Sequence, residues 1–161
     1  MRKILLIIFL LQGCTSNLYI GQTEGADSNT WSPIVVNVTN PSHKNFEVLK
    51  KSGIYEISTS DDSMNKLTLI DSETVFSCGN GLIPSIFTLG ILPGYVNAGE
   101  NFAYKIEIDG ESEIEEYYLD LYARYSIWEW FIKPFRPSDF EISAKALSIA
   151  KKQRESGLTK N

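Results

Sequence analysis

The sequence predicts an α+β domain in which a largely antiparallel sheet of about five or six strands packs with one or two helices. Three observations carry this. Phe102 to Ile108 alternates cleanly between apolar and polar residues and runs into Asp109-Gly110, a hairpin signal. Pro33 to Val38 is a β-branched run. Ser138-Asp139-Phe140-Glu141 is a capping box that opens a long helical segment. At 161 residues, 43% hydrophobic and 22% charged, the chain has the length and composition of one folded domain.

The elements follow in order. Residues 1–13 form a leader: Met1-Arg2-Lys3 is its basic start, and Ile4 to Leu11 is an apolar run of eight residues, too short to span a bilayer. Thr15 to Thr30 is polar and aperiodic, and with Cys14 forms an expected flexible tether over residues 14–30. The domain then occupies residues 31–161. Its first strand, Pro33–Val38, is followed by the turn Asn40-Pro41-Ser42 and a helix from His43 to about Ser52. Lys50 and Lys51 favour the helix's last turn, and Gly53 is its stop. Ile54–Ser58 and Lys66–Phe76 read as strands, separated by the polar loop Thr59–Asn65.

Leu82 to Val96 is the most apolar internal stretch. It reads either as a buried strand around Ile86–Leu92 between Pro84 and Pro93, or as an exposed loop that touches a membrane or a partner. The strand Phe102–Ile108 pairs through its hairpin with a long strand from Ser112 to about Trp130. A three-residue loop is expected, because a two-residue loop sets Glu113 and Glu115 opposite Ile106 and Tyr104. Pro134 and Pro137 end that strand. The last helix runs from Asp139 to about Glu155, with Phe140, Ala144, Leu147 and Ala150 or Lys151 on its inner face.

Leu11-Gln12-Gly13-Cys14 resembles the lipobox of bacterial lipoproteins, with Gln12 departing from the commonest pattern. The resemblance implies a diacylglyceryl group on the Cys14 thiol, cleavage before Cys14 and acylation of the new amino group. Several acyl chains anchor a soluble domain stably, where a single chain does not. Cleavage leaves 148 residues; losing Arg2 and Lys3 leaves 13 basic residues against 20 acidic, a net charge of -7. Thr15 after the cysteine implies, by the sorting rule of enteric bacteria, the periplasmic side of the outer membrane. The helix followed by Gly53-Ile54-Tyr55 is similar to a pattern in small envelope lipoproteins over roughly residues 34–70. Phe87 to Pro93 is similar to a segment of bacterial lipoproteins that carry a Trp-rich strand further on. Neither brings a catalytic residue.

The chemistry left open is narrow. A net charge of -5 argues against a nucleic-acid partner. Two cysteines and one histidine leave little for a zinc site or a His-based triad, and neither a G-x-S-x-G elbow nor a phosphate loop is present. With Cys14 lipidated, Cys78 reads as a buried thiol. No catalytic residue, metal ligand or cofactor is expected. The acids Glu107, Asp109, Glu111, Glu113, Glu115, Glu116 and Asp120 read as a solvated hairpin face, with Ca²⁺ binding as the alternative. Asp61, Asp62, Asp71 and Glu73 read as loop acids, and His43 as an exposed histidine.

The aromatic cluster is the remaining signal. Trp128, Trp130, Phe131 and Phe135 close a run that begins at Tyr117. On a strand Trp128 and Trp130 share a face. They serve a core, a partner or bilayer contact, or a platform for sugar rings. The expected function is a membrane-tethered, non-enzymatic binding or assembly module, held by lipid on Cys14, with an envelope protein as partner. The alternative is an envelope enzyme or binder acting on peptidoglycan or glycan.

Overall fold

The computed structural model of the protein describes residues 15–21, 33–58, 65–71, 74–77 and 80–155. The leader, Cys14 and Cys78 lie outside these. So do Asp61, Asp62, Glu73 and the rest of the tether from Gln22 to Thr30. The described strands are β1 (Thr15–Ile20), β2 (Ile34–Val38), β3 (Tyr55–Ser58), β4 (Lys66–Ile70), β5 (Thr74–Ser77), β6 (Gly94–Ile108), β7 (Glu111–Leu119) and β8 (Leu121–Ser126). The α-helices are α1 (Phe46–Ser52), α2 (Ile83–Phe87), α3 (Ile127–Ile132) and α4 (Asp139–Glu155).

All eight strands join one mixed sheet in the order β1-β8-β6-β4-β2-β3, with β5 and β7 also paired to β6. The α+β class holds, but the sheet has more strands than expected and is not purely antiparallel. β2 is parallel to both β3 and β4. For the β2–β3 pair the reason is α1, which links them as the crossover that parallel neighbours require. Gly53 ends α1 in the left-handed region at φ 65°.

The long β6 organises the rest. β7 and β8 follow each other along it in one register, from Ile108↔Glu111 through Glu100↔Leu119 to Gly94↔Tyr125, interrupted at Asp120. The long strand expected from Ser112 is therefore present but stops at Ser126, where the chain turns into α3. The strand expected over Lys66–Phe76 is divided into β4 and β5.

β1 corrects the expected tether over Thr15–Ile20. It pairs antiparallel with β8, Thr15 opposite Ser126 and Ile20 opposite Leu121. Polar residues concealed it: Asn17 is buried as a hydrogen-bonding side chain, not as part of an apolar stripe.

Helices α1 and α4 cover one face of the sheet. Phe102, Tyr104 and Ile106 alternate into this core as their periodicity predicts, with Leu67, Leu119, Leu121, Val36, Leu49 and Leu147. Each fully buried leucine contributes about 1.5–3 kcal/mol. α4 begins at its capping box, where Glu141 Oε2 accepts from the Ser138 amide at 2.8 Å. Its inner face is Ile142, Ala144, Ala146, Leu147, Ile149 and Lys151, whereas Phe140 points outward.

The hairpin corrects the expected register. Asp109 and Gly110 both have positive φ, 52° and 87°, as the two-residue type I′ turn requires. Tyr104 therefore lies opposite Glu115, and Ile106 opposite Glu113. Glu115 is accommodated because the inner face there is not wholly apolar. Its Oε2 accepts from the Tyr104 hydroxyl at 2.6 Å and from the Tyr117 hydroxyl, with Lys151 Nζ 3.8 Å away. Lys151 in turn donates to Tyr55 Oη at 2.8 Å, and the Tyr55 and Tyr104 hydroxyls are 3.0 Å apart.

Candidate interaction surface

Two segments meet where β8 ends. The first is α2 with the turn that follows it, in the stretch where a buried strand was one expectation. Pro84 sits in the first turn of α2, where its missing N–H costs nothing. Buried Ser85 donates to the Tyr125 carbonyl at 3.2 Å and holds α2 against β8. Ile83, Ile86, Phe87, Leu89, Ile91 and Leu92 all remain exposed. The stretch is thus exposed and not a buried strand, and Pro84 and Gly90 explain why: they set up a helical turn and a reversal.

This turn is tightly built. The Thr88 amide donates to Pro84 O, Leu89 to Ile86 O, Gly90 to Ser85 O and Ile91 to Thr88 O, while the Leu92 amide donates to Thr88 Oγ1 at 2.9 Å. Leu89 has φ 51° and is 79% exposed. A left-handed, non-glycine residue costs of order 1 kcal/mol or more.

The second segment is α3. The Ile127 amide donates to Gly90 O at 3.0 Å, and Trp128 Nε1 donates to Ile91 O at 2.9 Å, joining the two segments. α3 is arranged inside out. Its one acid, Glu129, is fully buried. Its carboxylate accepts from Asn17 Nδ2 at 2.5 Å and Tyr19 Oη at 2.9 Å, and pairs with Arg124. Asn17 Nδ2 also donates to the Glu129 carbonyl at 3.0 Å. Burial alone would raise the Glu129 pKa. The hydrogen bonds from Asn17, Arg124 and Tyr19 and the Arg124 charge outweigh it and hold the carboxyl below its ordinary value. Burial, and the bond to Glu129, push the Tyr19 phenol up.

Helical geometry then fixes the aromatics. At about 100° per residue, an inward Glu129 puts Trp128 and Trp130 on the two flanks and Phe131 on the far side. They do not share the strand face that the sequence suggested, but all three are exposed. Their rings meet, Trp128 with Phe131 at 6.4 Å and Trp130 with Phe131 at 5.0 Å. Phe135, in the 3-10 turn Lys133–Phe135, is the most exposed large apolar residue among those described.

Phe87 is 84% exposed, Trp128 54%, Trp130 46% and Phe131 57%. At about 200 Å² per ring, these four leave on the order of 500 Å² of aromatic surface in water. The five exposed aliphatic side chains of the α2 turn, together with Ile127, add to it. A monomer's largest apolar patch is usually about 300–600 Å².

The acidic candidates divide. Among the described residues no group of three or more His, Cys, Asp or Glu side chains is placed to hold a metal ion. Glu115 is not part of a solvated face. Burial would raise its pKa, but the Tyr104 and Tyr117 hydroxyls and the charges of Lys151 and Arg154 lower it overall. His43 is only partly exposed, its Nε2 3.2 Å from Asp71 Oδ1. The sequence reading missed Glu129 as a positioning residue. The signal was present: a single acid inside the apolar run Ile127-Trp128-Glu129-Trp130-Phe131-Ile132.

No protein-family model matches the chain, and no curated protein matches it in sequence. Among solved structures the chain is similar to a minor lipoprotein from Acinetobacter baumannii, at 14% identity and a TM-score of 0.40, over 81% of this chain and 95% of that one.

Proposed function

We propose that the chain is a bacterial envelope lipoprotein, tethered through lipid on Cys14, and that its domain is a non-enzymatic binding or assembly module. The observation that carries this reading is the exposed apolar ridge of the α2 turn and α3, built at the end of the sheet where β1 begins. The outward aromatics Trp128, Trp130, Phe131 and Phe135 are its contact residues. The partner is the membrane, an envelope protein, or both.

The glycan-enzyme alternative draws less support. Glycoside hydrolysis needs one carboxyl that stays protonated to act as an acid. Glu115 and Glu129, the acids the fold encloses in hydrogen-bond networks, are both held below the ordinary carboxylate range. Each neutralises a neighbouring cation, so neither is a proton donor at neutral pH; Glu100 on β6 is the one carboxyl among the described residues whose pKa is raised, by burial, and the alternative would have to run through it.

The test is palmitate labelling of cells expressing the tagged full chain, followed by envelope fractionation. Labelled protein in the outer membrane is expected, with Cys14→Ser left unlabelled and unprocessed. Labelling that persists in Cys14→Ser sinks the anchor. Cross-linking of intact cells then asks whether one envelope protein is captured through the ridge.

A further inference from the structure

We propose that the ridge formed by the α2 turn and α3 lies in the interfacial layer of the bilayer, so that the domain rests against the membrane on this end instead of hanging from a slack tether. This rests on the reading of Cys14 as the lipid-bearing residue. Cys14 is bonded to Thr15, and Thr15 is paired across the sheet with Ser126, the residue from which α3 starts. One peptide unit and one strand pairing separate the anchor from the aromatic helix, a span within about 10 Å.

The chemistry of the ridge selects lipid over protein. Ile83 to Leu92 contains no charged side chain, and the acid of α3 is turned inward. All the turn's amides from Thr88 to Leu92 are satisfied within the turn, and the Trp128 indole N–H is satisfied by Ile91 O. Backbone that enters a lipid environment must be satisfied internally. A protein partner would instead draw on such donors, at about one hydrogen bond per 100–200 Å² of interface. Tryptophan is favoured at the membrane–water boundary.

Charge is arranged along the same axis. β6 runs from Gly94, beside the ridge, to Ile108 at the hairpin. Its fifteen residues reach about 45 Å if straight. Glu107, Asp109, Glu111 and Glu113 lie at the far end, with Arg154 3.8 Å from Glu113, whereas Lys133 and Arg136 follow α3, the latter stacked on Tyr19 and bonded to Leu18 O. An anionic lipid surface attracts the second group and repels the first.

The experiment uses the full chain with Trp31→Phe, so that only Trp128 and Trp130 emit. It is purified from membranes in detergent and reconstituted into phosphatidylethanolamine–phosphatidylglycerol vesicles with ordinary or 6,7-dibrominated acyl chains. The mass of the purified protein reports acylation separately. The expected result is at least about twofold quenching by the brominated lipid, reduced toward unity by Phe87→Glu with Leu89→Glu, whose side chains are too exposed to hold the fold together. Acylated protein with equal emission in both vesicles overturns the proposal and leaves the anchor standing. If the mass shows no acyl group, the anchor falls instead. Vesicle flotation with quenching of the unacylated chain then upholds the ridge, and failure to float overturns it as well.

Discussion

Replacing Glu129 by alanine should loosen α3 from the sheet, and the size of the effect follows from what the carboxylate holds. The change leaves Arg124 without its partner, and Tyr19 Oη and one bond of Asn17 Nδ2 without an acceptor. Breaking a buried ion pair by removing one side costs about 3–5 kcal/mol. The Arg124 side chain is 30% exposed and regains some water, which places the loss near the lower end. Asn17 keeps its bond to the Glu129 carbonyl. The net expectation is about 3 kcal/mol, a large share of the about 5–15 kcal/mol that holds a domain together. Urea unfolding at pH 7, followed by far-UV circular dichroism and by tryptophan emission, measures it. The pH dependence has a definite sign. The folded carboxyl has a lowered pKa, so its stabilisation is present above the unfolded value of about 4.3 and is lost as pH falls through the folded pKa. Wild type and Glu129→Ala should therefore converge in acid. A loss at pH 7 within about 0.5 kcal/mol, the range of an ordinary surface change, would refute the claim that Glu129 fastens the aromatic helix.

Three further outcomes are expected. Leu89→Gly should leave stability unchanged or raise it by about 1 kcal/mol, because glycine accepts the left-handed backbone at φ 51°; the same variant should bind vesicles more weakly in a flotation assay. Gly81→Ala should destabilise by more than about 1–3 kcal/mol, the usual cost of overpacking, since its Cβ would fall 2.2 Å from the Tyr95 carbonyl oxygen, a backbone atom that cannot swing aside; thermal unfolding reads this out. Glu115→Gln should destabilise at neutral pH, with the difference from wild type shrinking only as pH drops below the unfolded value of about 4.3 and through the lowered folded pKa, because the native carboxyl is held below its ordinary value by Tyr104, Tyr117, Lys151 and Arg154.

What the sequence made legible was whatever local physics decides alone. The alternation of Phe102, Tyr104 and Ile106 against Ala103 and Lys105 gave the core face of β6. The reciprocal bonds of Ser138 and Glu141 gave the start of α4, and Gly53 gave the end of α1. Two of the misreadings share one cause: polar groups that are satisfied by distant residues. Glu115 counted against the two-residue hairpin only until Tyr104, Tyr117 and Lys151 were brought to it, and Lys151 is 36 residues further along the chain. β1 lacks an apolar stripe because Asn17 and Tyr19 face Glu129, more than a hundred residues away. The parallel pairing of β2 with β4 is likewise a long-range choice, invisible in either strand alone.

α3 carries this point to function. A helix with an acid and five apolar side chains would ordinarily turn the acid to water and bury the rest. Here β1 and β8 offer Asn17, Tyr19 and Arg124 to the acid, with the Arg136 guanidinium stacked 3.6 Å from the Tyr19 ring and donating to Leu18 O. The inversion therefore costs the fold little, and it commits the aromatic side chains to the outside. Polar residues of β1 thus do two things at once. They hold the strand that leads back to Cys14, and they aim the ridge from the same end of the sheet. A substitution that preserves the strand but frees the helix, as Glu129→Ala should, is expected to lower vesicle binding with Cys14 acylation unchanged. Binding that survives full loss of the Asn17 and Arg124 contacts would separate the ridge from the network and place the aim of α3 in the Gly90 and Ile91 contacts alone.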